Sequence, residues 1–212
     1  MINPPNELGS PEDLIKRCQK AKQNKTPWET HLSQCYRYAI PNRETFYNYS
    51  PGQKKNTDIF DSTAVIGVQR FASRLQATLI PPWRRWSTLA PGSEIPERDR
   101  EGVQKELDKV TRIMFDHINH SNFATQSHEA LLDLSVSTGV LTCEQTDNPD
   151  TMLNFNAIPL SDVYPEEGPN GVIETMWREH TMPARNVMRL WPDADVSPKL
   201  AKPIVTGKQT PL

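Results

Sequence analysis

Cysteine is scarce in this 212-residue chain. Cys18, Cys35 and Cys143 are an odd set with no C-x-x-C spacing. That excludes a disulfide-stapled secreted scaffold and a zinc ribbon, and it fits a reducing compartment. Glycine is low, at 9, against 19 prolines. The glycine-rich phosphate loops G-x-x-x-x-G-K-[ST] and G-x-G-x-x-G are missing, and so is the G-x-S-x-G nucleophile turn. No apolar run approaches the ~20 residues that cross a bilayer, and Met1 to Gly9 is too polar for a signal peptide. The expectation is a soluble protein made in the cytoplasm, with no membrane partner. Hydrophobic residues make up 36% and mean hydropathy is −0.65. That is polar for a self-sufficient globule, so partner subunits are expected to complete the burial. Net charge is −2, so no overall basic field announces nucleic acid. The charge is uneven, however, with a basic run of Lys16, Arg17, Lys20, Lys22 and Lys25.

What the chain does have is punctuated helix. Ser10-Pro11-Glu12-Asp13 reads as a helix start, with Ser10 as cap and Pro11 in the first turn. Thr26-Pro27-Trp28-Glu29 repeats the device as a capping box. Positions 14, 18, 21, 25, 28, 32, 35 and 39 keep one phase across Pro27, all apolar or cysteine except Lys25. One long helix and two shorter ones are therefore both open. Pro41 ends the pattern, and residues 42–56 read as a polar loop. Next, Asp61 caps a helix whose face is Ala64, Val65, Val68, Phe71, Ala72, Leu75 and Leu79. Pro81 and Pro82 stop it. Trp83 and Trp86 then bracket Arg84 and Arg85.

A third helix is expected from Pro96 to about His120, on Val103, Leu107, Val110, Met114, Phe115 and Ile118, with Ile113 at its edge. A fourth follows with Asn122 as cap, Phe123, Ser127, Ala130, Leu131 and Leu134 as its face, and Gly139 as its C′ residue. Val140–Gln145, Met152–Ile158 and Val172–His180 read as strands, separated by turns at Asp147–Asp150 and Gly168–Gly171. In the third strand Ile173, Thr175 and Trp177 share a face. Thr181–Trp191 reads as a short helix with Pro183 in its first turn. The order gives an α+β fold, a helix-rich N-terminal layer followed by a small antiparallel sheet. Residues 1–9 are expected to be a disordered N-terminus, 10–191 the folded body (helices over 10–139, sheet plus helix over 140–191) and 192–212 an extended tail.

Candidate chemistry is thin. His117, His120 and His128 lack a cysteine or acidic partner at zinc-ligand spacing. Glu166-Glu167 reads as a solvated turn, and Asp58 and Asp61 imitate D-x-x-D, although Asp61 is already explained as a cap. A hydrolase acting through Asp58, Asp61 or His128 would have to lose metal-dependent activity on a single substitution. The reading adopted is no enzyme, with no catalytic, cofactor-binding or metal residues. The remaining candidate is Trp83, Arg84, Arg85 and Trp86. It is either an aromatic plug with solvated arginines or a cation–π, subunit-interface or DNA contact.

Four blocks carry a resemblance. They are Pro27-Trp28-Glu29-Thr30 through Cys35 to Tyr38-Ala39-Ile40-Pro41, and Asp58 to Leu89 with its D-S-T-A start and L-x-P-P end. The third is Val110 to Val140, with S-N-F, E-A-L and G-V-L, and a weaker one is Pro159 to Arg178, with P-L-S-D-V-Y. In this order, over roughly Ser10 to Trp191, the chain resembles the N-terminal part of the portal, or head-to-tail connector, proteins of short-tailed double-stranded DNA bacteriophages. The resemblance implies a structural, non-enzymatic subunit without cofactors. Such subunits form a ring, usually of twelve, at a capsid vertex, through which double-stranded DNA is packaged and ejected. It implies the major capsid protein, a tail adaptor, the terminase large subunit and internal core or scaffold proteins as partners. It implies a wing-like domain in the virion, with stem and clip following. Family members are usually more than twice this length, so a truncated product is expected. The alternative reading is a helical nucleic-acid-binding adaptor of a phage particle, using Lys16 to Lys25 and Trp83 to Trp86.

Overall fold

A computed structural model describes residues 9–191, apart from 44, 48, 49, 51, 56, 58 and 147–150. The expected turn at 147–150, the tail 192–212, Asp58 and most of the expected disordered N-terminus lie outside the described residues. Five α-helices and two small two-stranded sheets follow one another, an α+β fold with its helices first. The chain divides into two compact units, one ending at Tyr164 and one beginning at Pro165.

In the first unit, α1 (Pro11–Ala39) is one continuous helix of 29 residues that passes through Pro27. Ser10 caps it, its Oγ accepting from the Asp13 N–H at 3.3 Å. The expected capping box at Thr26 and Glu29 does not form. Thr26 Oγ1 instead donates back to the Lys22 carbonyl at 3.0 Å, inside the helix. Burial runs through Ala21 and Lys25 and then moves one position along, to Ser33, Tyr36 and Ile40. Trp28, on the expected apolar face, is left exposed. Ile40 ends the helix, its N–H still bonded to the Tyr36 carbonyl, because Pro41 bars helical geometry before it.

Helix α2 (Thr63–Leu79) begins with Ser62, not Asp61, at the cap position. Asp61 nonetheless accepts from the Thr63 N–H at 2.9 Å and from its hydroxyl at 2.7 Å. Of the expected face, Ala72 is fully buried and Val65, Val68 and Leu75 are half-buried, while Ala64, Phe71 and Leu79 are exposed. Ala72 sits in the main core with Tyr36, Ile40, Leu132 and Leu160, flanked by Leu32, Phe46, Val68 and Leu131. Ile40, Leu132 and Leu160, nearly fully buried, each contribute about 1.5–3 kcal/mol.

Helix α3 (Glu97–His120) buries Thr111 and Phe115, and leaves Val110 and Ile113 exposed. Helix α4 (Phe123–Leu134) lies between α2 and the first sheet, so two of its sides are covered. Leu132 and Asp133 are therefore buried, while Leu134, expected inside, is exposed. Gly139 is not the C′ residue, since the helix closes at Ser135. Its requirement is space, because a Cβ there would lie 2.2 Å from the Ala130 carbonyl oxygen.

Strand β1 (Val140–Gln145) pairs antiparallel with β2 (Leu153–Ile158), with Val140 opposite Ile158 and Cys143 opposite Phe155. Asn122 stands at the cap position of α4, as expected, but its side chain makes no cap bond. Its side chain accepts from the Phe155 N–H at 2.8 Å and donates to the Phe155 carbonyl at 2.8 Å. Gln126 Oε1 accepts from the Ala157 N–H, also at 2.8 Å. Two helix side chains thus satisfy the outer edge of β2, and that tertiary use outcompetes the local cap.

Strand β3 (Val163–Glu167), unforeseen because of Pro165 and the two glutamates, runs across the boundary into the second unit. With β4 (Ile173–Arg178) it makes a separate two-stranded sheet instead of extending the first. Glu166 is therefore not a solvated turn residue: Trp177 Nε1 donates to its carboxylate at 2.8 Å. Thr175 and Trp177 lie on the more covered face, while Ile173 is exposed. Gly171, at φ +70°, closes the connection. Helix α5 (Ala184–Leu190) follows, with Pro183 at its cap position.

Candidate functional site

Two prolines set up the Trp83–Trp86 segment. The Ile80 N–H bonds to the Gln76 carbonyl, and neither Pro81 nor Pro82 can donate onward. The Arg84 N–H then returns to the Pro81 carbonyl at 3.2 Å, making a turn with Pro82 and Trp83 at its tip. The two tryptophans part company here. Trp83 is 72% exposed, whereas Trp86 turns inward. Trp86 meets Phe115 edge-on at 5.3 Å between ring centroids and stacks on Phe123 at 5.9 Å. Phe123 in turn meets Phe155 at 5.0 Å, so one aromatic chain ties the segment to α3, α4 and β2. Beyond it, residues 85–90 run extended along α3. The Leu89 N–H donates to Thr111 Oγ1 at 3.2 Å, and Gln104 Nε2 donates to the Leu89 carbonyl at 3.3 Å.

Arg84 and Arg85 are exposed, and among the described residues neither is ion-paired or placed over a ring. Arg85 lines an open groove of about 540 Å³ together with Trp86, Ser87, Thr88, Asp108 and Arg112. Gln104 Nε2 holds Asp108 at 2.7 Å. Arg112 had no place in the sequence reading. It is brought to Arg85 by the packing of the extended segment on α3.

Two buried polar clusters were also not foreseen. Asp133 is fully buried and accepts from the Tyr36 hydroxyl at 2.9 Å and from Arg43 Nε at 3.0 Å. Arg43 also pairs with Glu129. Burial first, and then the Asp133 carboxylate, pushes the Tyr36 hydroxyl far above the usual phenol range. Burial would lower the Arg43 pKa, but its hydrogen bonds and ion pairs to Asp133 and Glu129 outweigh that and raise it. Removing one partner from such a cluster costs about 3–5 kcal/mol. The second cluster explains the one charged position in the apolar stripe. Lys25 is 8% exposed, and its ammonium donates to the carbonyls of Leu160, Ser161 (3.2 Å) and Val163 (2.9 Å). It also sits 4.5 Å from the Tyr164 ring centroid.

Two of the sequence's histidine candidates have hydrogen-bond partners. His128 Nδ1 lies 3.1 Å from Gln76 Oε1, and His120 Nδ1 lies 2.6 Å from the Asp116 carbonyl. Hydrogen bonds from Thr63 lower the Asp61 pKa. Among the described residues no three His, Cys, Asp or Glu side chains converge as a metal site. Cys18 and Cys35 are half-buried, Cys143 is exposed, and all three are free thiols.

The family described as bacteriophage head to tail connecting protein matches residues 11–211. The probable portal protein of Bordetella phage BPP-1 is 22% identical over 179 residues, which cover 83% of this chain and 32% of that protein. The portal protein of Salmonella phage epsilon15 is 23% identical over 182 residues, covering 84% and 32%. The chain spans about a third of the length of these curated relatives. By a match that runs through every helix and strand described above, the chain belongs to the bacteriophage head to tail connecting protein family.

Proposed function

We propose that this chain is the wing-like N-terminal part of a phage portal subunit, a structural component of the virion. In this reading roughly twelve copies meet head to tail in a closed ring at a capsid vertex. Double-stranded DNA enters and leaves through the ring. The terminase large subunit, the tail adaptor, the major capsid protein and internal core proteins dock on it. The chain performs no catalysis and is made in the host cytoplasm. The observation that carries the reading is the family match over 11–211, supported by two relatives named as portal proteins. A physical observation agrees with it. Ile66, Phe71, Leu79, Val110 and Ile113 stand exposed on helices, more apolar surface than one copy buries alone.

Native mass spectrometry with negative-stain images of the same sample tests this. The expected result is a ring of roughly twelve copies with a central hole. A clean monomer at tens of micromolar would remove the ring. A monomer that binds DNA with steep salt dependence would bring back the adaptor reading.

A further inference from the structure

We propose that the groove between Arg85 and Arg112 holds the phosphate backbone of DNA. The inference rests on the portal reading and names a DNA-contacting surface within it. From Ser62 to Ser93 the chain carries Arg70, Arg74, Arg84 and Arg85 and no aspartate, glutamate or lysine. A segment of charge +4 thus sits inside a chain of net charge −2. All four guanidinium groups are exposed, and among the described residues none has a carboxylate partner. Arg112 enters the same groove from α3, and Ser87 and Thr88 line it beside Arg85. Guanidinium forks beside hydroxyl donors are the side chains that hold phosphate oxygens. The groove's carboxylate, Asp108, is turned to Gln104.

An acidic protein surface is the competing occupant, and the pattern disfavours it. Protein surfaces intersperse both signs of charge, so an interface matched to one would mix them as well. The rest of α3 does so: Glu101 pairs with Lys105, and Glu106 with Lys109. A phosphate backbone offers one sign only, and the acid-free run from Ser62 to Ser93, which supplies one wall of the groove, matches that. Phosphate contacts carry no sequence information, so the binding expected is indifferent to sequence.

The test is fluorescence anisotropy of a random-sequence DNA duplex against the 212-residue chain, over a series of salt concentrations. Arg85→Gln/Arg112→Gln should lower affinity at least tenfold at low salt. It should also reduce the slope of log K against log salt by about 1.8, two phosphate contacts at 0.9 each. Arg85→Lys/Arg112→Lys, which keeps the charge, should restore the slope, and circular dichroism should show both variants folded. Lys16→Gln/Lys20→Gln, in the other basic run, should leave the slope within half a unit of wild type. No duplex binding by wild type at low salt, or equal losses from the arginine and lysine pairs, would overturn the assignment. So would an arginine pair whose loss abolishes assembly but not DNA binding, because the groove would then be a subunit interface. Native mass spectrometry of the same samples separates the two readings. Rings that ignore DNA sink the groove alone, and monomers that bind DNA through it sink the ring alone.

Discussion

Burial holds the Lys25 ammonium down at about 8, against 10.5 for a free lysine, although Glu29 and Asp162 pull it up; Lys22 pushes it further down. Below pH 8 both folded and unfolded chains carry the proton. Between about 8 and 10.5 the unfolded chain binds more protons, so stability rises with pH across that window. The expected gain is about 1–3 kcal/mol, read as the urea midpoint from pH 7.5 to 10.5. Lys25→Met should flatten that rise while lowering stability at every pH. A wild-type midpoint that falls across the window as steeply as the variant's would contradict the buried ammonium. Lys25 was visible in the sequence as the one charge in an apolar stripe. Its partners were not, because the carbonyls it meets lie some 135 residues away, on the Leu160–Val163 turn. Arg43 and Asp133 were silent for the same reason. One lay in a segment read as loop and the other off the expected face of its helix.

Elements were more legible than partners. Proline and the period of apolar residues located α2, α3 and α4 and both ends of α1 within two or three residues, since both signals are local, but left open whether α1 was one helix or two. What the period could not supply was how many sides of a helix are covered. Helix α4 is sandwiched, so Leu132 is buried and Leu134 is not; α2 is covered on one side, so Phe71 and Leu79 stand out. Strand β3 carries a proline and two glutamates, and it is specified by its pairing with β4 more than by its own composition. Of the candidate site, the sequence showed the Trp83–Trp86 cluster, but not that one indole packs and the other does not. Asn122 tests how a helix start can support a strand. Asn122→Ala should leave the Phe155 N–H without its acceptor, at a cost of about 1–3 kcal/mol. Hydrogen exchange should show the Phe155 amide exchanging tenfold faster or more, with amides in α1 unchanged. An unchanged Phe155 rate would mean that the side chain contributes nothing to the edge.

At the scale of the whole molecule, the proposed ring would cover the exposed apolar helix surface with copies of the native state, and the chain would gain stability from that binding. Mass action then makes the melting temperature depend on concentration. A hundredfold increase in protein concentration should raise Tm by several degrees, measured by differential scanning fluorimetry. A Tm flat over that range would mean the surface stays open. The edges of the first sheet add a directional consequence. With Asn122 and Gln126 bonded along the outer side of β2, and β1 paired, among the described residues, only on its inner side, an incoming strand could register against β1 alone. Growth of that sheet is one-way, a ratchet in space: a copy can be extended at one border and cannot extend back at the other.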